Sequence, residues 1–192
     1  MRSKTAGRVI TAAGIVLLAA AAVMFAGRLY EKKQNGMDIS EAAQRIEKLL
    51  PERSAGIAEE RENAAMAAIE IDGKDFVGLL EIPDRNIKLP VAASWGTSDF
   101  SFRPARYTGS VYNNTLIIGG KYAEGNFDFI DLLEPGEEIT FTDMFGFVFD
   151  YTVEKISHSD NADTETLKSV DSALTLFVKK DNSFLIVRCT DS

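Results

Sequence analysis

From Phe76 onward the chain is a succession of short apolar runs, each closed by turn residues. Phe76–Ile82 (FVGLLEI) stops at Pro83 and the polar Asp84–Arg85–Asn86. Ile87–Val91 (IKLPV) follows, then Thr115–Ile118 (TLII) ahead of Gly119–Gly120, Glu138–Thr142 (EITFT) and Phe147–Val153 (FVFDYTV). Ala173–Val178 and Phe184–Val187 complete the set, separated by Lys179, Lys180, Asp181 and Asn182. Runs of this length, rich in β-branched and aromatic residues and bounded by Gly, Pro, Asn and Asp, read as strands. Such a series restricts the domain to an all-β barrel or sandwich. The last two runs, either side of Asp181–Asn182, predict a hairpin. Helix is expected only as a turn around Phe100–Arg106, another near Asp128–Leu133, and a short helix within Thr164–Leu174.

The first third of the chain has a different texture. Val9–Gly27 (VITAAGIVLLAAAAVMFAG) is free of charge, with Arg2, Lys4 and Arg8 before it and Arg28 after it. At about 1.5 Å per helical residue this run matches the hydrocarbon thickness of a bilayer, so residues 9–27 are expected to form a membrane anchor. A cleaved signal peptide, cut near Phe25–Ala26–Gly27, is the competing reading. The amino terminus, residues 1–8, is placed inside and the remainder extracytoplasmic. Residues 28–71 are expected to form a helical juxtamembrane stalk, rich in Ala, Glu and Arg. Within it Asp38 and Glu41 fit a helix start, Ile46, Leu49 and Leu50 share a side, and Pro51 ends the helix. A second helical piece is expected through Ile57–Ile69, and the β domain over 72–192. The alternative for the stalk is a lid or oligomerisation helix that packs on the domain.

Composition narrows the partners. The net charge is −8 and the basic residues are scattered, which argues against a nucleic-acid partner. A single cysteine, Cys189, forms no internal disulfide, and there is a single histidine, His158.

Taken together and in order, several phrases resemble the sortases, the membrane-anchored cysteine transpeptidases of Gram-positive bacteria, with a class B/D-like flavour. FVGLLEIPDRNIKLPV (Phe76–Val91) resembles the family's "G-x-L-x-I-P" followed by "lPV". RPARYTGSVYNNTLIIGGKY (Arg103–Tyr122) resembles the segment ending in "i-x-G-H". FDFIDLLEPGEEITFTDMFGFVFDYTVEKI (Phe127–Ile156) resembles "F-x-x-L-x-x-l-x-x-G-D-x-I", and the terminal hairpin resembles "L-T-L-x-T-C … R-x-x-V". The resemblance implies an all-β, sortase-like eight-stranded β-barrel with short helices and a groove at one end. It implies as partner a sorting-signal peptide or a cell-surface protein, a location in the cell membrane, and no cofactor.

That family's chemistry uses a cysteine thiolate as nucleophile, a histidine as acid or base, and an arginine to position substrate and stabilise the oxyanion. Laid on this chain, the histidine position falls on Gly120, the cysteine position on Lys179, and the arginine position at about Asn182 or Ser183. Lys121 is adjacent to the first of these, but strand alternation points neighbours to opposite sides. None of the three carries the expected group, so the resemblance implies a pseudoenzyme that keeps the barrel and binds without cleaving. The rival reading is an active transpeptidase with Cys189 as nucleophile; it leaves no room for an arginine-bearing strand, and Arg188 lies at the far end. His158, in SHSDNAD, is expected in a solvated loop. Asp160, Asp163 and Glu165 form an acidic loop without the spacing of an EF-hand, and Gly119–Gly120–Lys121 lacks the spacing of a phosphate loop. Trp95, Phe100, Phe102 and Tyr107 are expected as core aromatics or groove lining.

Overall fold

Nine strands are present among the described residues, which in this computed structural model are 18, 20–24, 39–51, 65–96, 103–168 and 172–192. They are β1 (Ile69–Ile71), β2 (Lys74–Ile82), β3 (Ile87–Ala92), β4 (Ala105–Thr108), β5 (Leu116–Lys121), β6 (Glu138–Asp143), β7 (Val148–Ser159), β8 (Leu174–Lys180) and β9 (Ser183–Asp191). The pairing order is β1-β2-β3-β4-β5-β8-β9-β7-β6, and β6 returns to pair with β2. Eight strands, β2 to β9, therefore form the closed barrel expected from the sequence, and β1 extends it as a hairpin on β2. Closure joins Gly78–Glu81 to Thr140–Asp143 in antiparallel register. At this seam a side chain on residue 78 would lie 2.3 Å from Phe141 Cζ and 2.4 Å from the Thr142 carbonyl, so only glycine lets the strands meet.

Alternation along the strands sorts side chains inward and outward. Leu116 and Ile118 of β5, Leu174, Leu176 and Val178 of β8, and Leu185, Val187 and Cys189 of β9 join the buried barrel interior. Ile117, Phe177 and Ile186 of the same strands form a second buried cluster on the outer wall, covered by Leu167 of α2 (Thr164–Leu167). A third cluster lies outside β2, where Phe76 and Leu79 meet Ala42, Ala43 and Ile46 of α1, the helix over residues 39–49. β2 is thus buried on both faces, which accounts for its unbroken apolar run.

Helix α1 presents Ile39, Ala42, Ala43 and Ile46 to the barrel, while Leu49 stands 59% exposed. Leu49 does not share the burial expected for it: the buried stripe runs through 39, 42, 43, 46 and 50, and residue 49 sits at its edge, about 80° from its centre at about 100° per residue. Arg45 pairs with Glu41 one turn earlier on the helix (2.7 Å) and ties the helix to Asp72 in the β1–β2 turn (2.8 Å), and Lys88 reaches Glu47 (2.5 Å) and Glu81 (3.0 Å). One compact unit spans Asp38–Ser192, so α1 and the barrel belong to the same unit. Ile69, expected at the end of a second stalk helix, starts β1; the rest of that expected helix up to residue 64 lies outside the described residues.

β4 also departs from the expected structure. A helical turn was expected around Phe100–Arg106, but Ala105–Thr108 is a strand, parallel to β3 through Ala92↔Ala105 and antiparallel to β5. The Arg106 side chain secures it by donating to the carbonyls of Ala93 (3.1 Å) and Gly109 (3.3 Å). The expected turn near Asp128–Leu133 forms as a 3-10 turn over Ile130–Leu132, and α2 fills the expected place within Thr164–Leu174.

The first compact unit, Met1–Met37, is described only at Leu18 and at 20–24, which is helical. The remainder of the expected 9–27 anchor, and Asp38 as a helix start, lie outside the described residues. Among the described residues no helix is long and apolar enough to cross a membrane.

Candidate functional site

Parallel strands β5 and β8 run side by side, and their C-terminal ends meet at one edge of the barrel. The register pairs Gly119 with Phe177, Gly120 with Val178 and Lys121 with Lys179. β8 then turns through Asp181–Asn182 into β9, pairing Lys179 with Phe184 and Lys180 with Ser183. Asp181 takes φ 55°, a left-handed conformation that Asp tolerates better than most residues.

The two glycines face opposite ways. A side chain on Gly119 would meet Trp95 Cζ3 at 2.5 Å and Phe177 Cζ at 2.6 Å, on the outer wall. One on Gly120 would meet Phe127 Cγ and Cδ2 at 2.5 Å and Asn126 Oδ1 at 3.0 Å, on the inner side. Phe127 is fully buried in the barrel interior, so the position is closed by packing. Gly120 and Lys179 therefore do not converge. Lys121, in phase with Ile117 and Gly119, shares the outer face with Lys179, and both lysines are exposed. Ser183 opens β9 opposite Lys180; the residue directly across from Lys179 is Phe184, whose ring centroid lies 5.9 Å from the Lys179 Nζ.

Lys180 is anchored elsewhere. Its ammonium donates to Asp131 and lies 4.4 Å over the Tyr122 ring, while the Tyr122 hydroxyl donates to the same carboxylate at 2.9 Å. The hydrogen bond from Lys180 holds the Asp131 carboxyl below its ordinary range, and the same bond raises Lys180. Hairpin and 3-10 turn are thus tied together beside the β5 end.

Below the lysines, the outer wall is lined by aromatics. Trp95 and Tyr107 each pack on Phe177 with centroids 5.4 Å apart, and on each other at 6.2 Å. Trp95 remains 41% exposed while Phe177 is buried. Arg188 pins the α2 segment by donating to the Thr166 carbonyl (2.8 Å) and to Ser157 Oγ (3.2 Å), which commits it to a structural task. Asp163 caps α2, accepting from the Thr166 N–H at 2.7 Å and from Asn161 at 2.6 Å. No group of carboxylates, histidine or cysteine among the described residues is arranged to hold a metal. Phe100 and Phe102 lie outside the described residues.

Cys189 belongs to a different place. It lies in the barrel interior between Leu174 and Val153, fully buried, and burial pushes its thiol up to about 12. Its partner Leu174 begins β8 and Lys179 is five residues further along, a separation of about 17 Å at about 3.3 Å per residue. His158 is not in a loop, as expected, but on the long β7, exposed and paired with Leu185. The strand reaches Ser159 because β9 pairs with it over the whole length.

A sequence model described as the sortase domain matches residues 80–191, from within β2 to the end of β9. The chain belongs to the sortase family. No curated protein matches it in sequence. Among solved structures it is similar to a Clostridium perfringens sortase D5 transpeptidase, at 19% identity and a TM-score of 0.57, covering 84% of this chain and 98% of that one. It is also similar to C. perfringens sortase C with the C-terminal cell wall sorting motif, at 18% identity and TM-score 0.54, covering 81% and 90%. Sortase A from Corynebacterium diphtheriae matches at 17% identity and TM-score 0.54, over 62% of this chain and 61% of its own. At these identities the likeness is one of fold.

Proposed function

We propose that this sortase-fold protein binds a sorting-signal-like peptide, or a cell-surface assembly partner, without cleaving it. The observation that carries the reading is the pair Lys121–Lys179 at the ends of β5 and β8. Lys179 stands where the family phrase "T-L-x-T-C" puts the nucleophile. Strand phase favours Lys121, rather than Gly120, as the counterpart of the histidine, because only an outward residue can reach a group borne by Lys179. Phe184 lies across the hairpin, so no guanidinium faces the pair from β9. Two exposed ammonium groups supply neither a thiolate nor an imidazole. The outer wall with its half-exposed Trp95 is where a peptide would lie, by analogy with the neighbour whose structure includes a sorting motif. Residues 9–27 would anchor the protein in the cell membrane, with the barrel outside.

An active transpeptidase built on Cys189 would need that thiol to leave the core and ionise against burial. The deciding experiment incubates the purified chain with a labelled sorting-motif peptide and an amine acceptor. Saturable binding with no hydrolysis or transfer is expected. Turnover that disappears in Cys189→Ala would overturn the reading, and absence of binding would leave only a scaffolding role.

A further inference from the structure

Arg103 lies two residues before β4, next to Pro104, whose carbonyl accepts from the Ala92 N–H at 2.9 Å. It is only 8% exposed, and its Nε and Nη1 atoms are buried without a hydrogen-bond partner. A guanidinium does not escape this cost by losing its proton, so a buried one without partners is expensive unless something supplies acceptors. Arg103 lines a cleft of about 180 Å³ together with Glu41 and Arg45 of α1, Asp72 and Lys74 of the β1–β2 hairpin, and Phe76.

The cleft's own acids are already engaged. Glu41 and Asp72 both bind Arg45, at 2.7 and 2.8 Å. That triad leaves the Arg103 donors with no carboxylate of their own. The volume corresponds to about six water molecules at about 30 Å³ each, room for one small planar acid group and its first carbons. The planar fork of arginine matches carboxylate or phosphate, but two neighbouring carboxylates disfavour a dianion. We infer that this cleft is a binding site for a carboxylate, with Arg103 as its anchor, whether the group comes from a free small acid or from an acidic side chain or terminus of a partner chain. Its lining comes from α1, the β1–β2 hairpin and the segment before β4, and shares no residue with the lysine edge.

The test follows the Arg103 Nε–H resonance in the full chain, kept in detergent. Sodium acetate, N-acetylglycine and N-acetyl-aspartate methylamide are titrated against sodium chloride, acetamide and inorganic phosphate. The expected result is a saturable shift with the carboxylates, absent with chloride and acetamide and lost in Arg103→Gln. Saturation by acetate alone assigns a free acid; tighter binding of the glycine or aspartate derivative assigns a chain terminus or an acidic side chain. No saturation, an equal response to chloride, a response only to phosphate, or a shift of other resonances that persists in Arg103→Gln overturns the assignment. Should Arg103→Gln not fold, the wild-type titration still decides between these outcomes.

Discussion

Adding one methyl group at residue 120 distinguishes the inward from the outward face at the end of β5. In Gly120→Ala the new carbon would sit 2.5 Å from two ring atoms of Phe127, where ordinary contact begins at 3.4 Å. The overlap is close to 1 Å against a ring that is fully buried in the barrel interior, so neither partner has free space to move into. Overpacking of this kind costs about 1–3 kcal/mol. For a domain of this size, about 2 kcal/mol lowers Tm by about 4–8 °C. Lys121→Ala, on the exposed outer face, should stay within about 0.5 kcal/mol of the parent. Urea unfolding followed by tryptophan fluorescence and circular dichroism measures both, with a constant m-value certifying that one transition is compared. Shrinking the opposing ring provides an internal control: in Gly120→Ala combined with Phe127→Leu the losses should fall short of additivity by about 1 kcal/mol. A harmless Gly120→Ala beside a costly Lys121→Ala would show the faces reversed. Gly120 would then face the groove, and the pairing of Lys121 with Lys179 would fail with it.

Burial should make Cys189 chemically silent. With its thiol pushed up to about 12, fewer than about one molecule in a thousand is thiolate at pH 8.5; iodoacetamide should label it slowly in the folded chain and at an ordinary rate in urea, and rapid native labelling would refute the interior placement. Asp131 should titrate below the ordinary carboxylate range by NMR, and Lys180→Met should move its midpoint back up. Because the folded carboxyl is the stronger acid, the pair's stabilisation is present above the ordinary carboxylate pKa and is lost as pH falls through the depressed one; a stability profile over acid pH that is unchanged in Lys180→Met would contradict this. Ile46→Ala, which empties a fully buried position under α1, should cost about 2–5 kcal/mol by chemical denaturation. A cost well under 1 kcal/mol would mean that α1 does not pack on β2 in solution.

Strands with an apolar face to bury were legible in the sequence, because inward residues of β2, β5, β8 and β9 repeat at a period of two or run unbroken where both faces are covered. β4 was not. Its residues, ARYT, carry no apolar alternation, and the strand owes its existence to its neighbours and to the Arg106 side chain that bonds across the turn. β1 was hidden for a similar reason: three residues that gain a partner only once β2 is in place. At the site, the double glycine was the obstacle. Glycine contributes nothing to an inward–outward pattern, so the "G-H" phrase can be laid on either residue. The clashes that tell them apart involve Trp95, Phe177 and Phe127, which come from distant parts of the chain. Counting alternation on from Ile117 through Gly119 would have put Lys121 outward. Cys189 was legible as an end-of-strand residue, but its depth depends on being flanked by both β7 and β8. Arg103 carried no signal in the sequence, since the residues that share its cleft come from α1 and the β1–β2 hairpin.

The final strand β9 is not an edge but a stave in the middle of the wall, held by β8 on one side and β7 on the other. A growing chain that has emerged only as far as β8 therefore cannot seal the barrel, however complete its hydrophobic pattern. Until nine-residue β9 arrives, β7 and β8 both offer raw hydrogen-bonding edges, β7 being the longest of the described strands. Open edges of that kind recruit other chains. Premature termination just after Lys180 should thus yield aggregates rather than a smaller soluble protein.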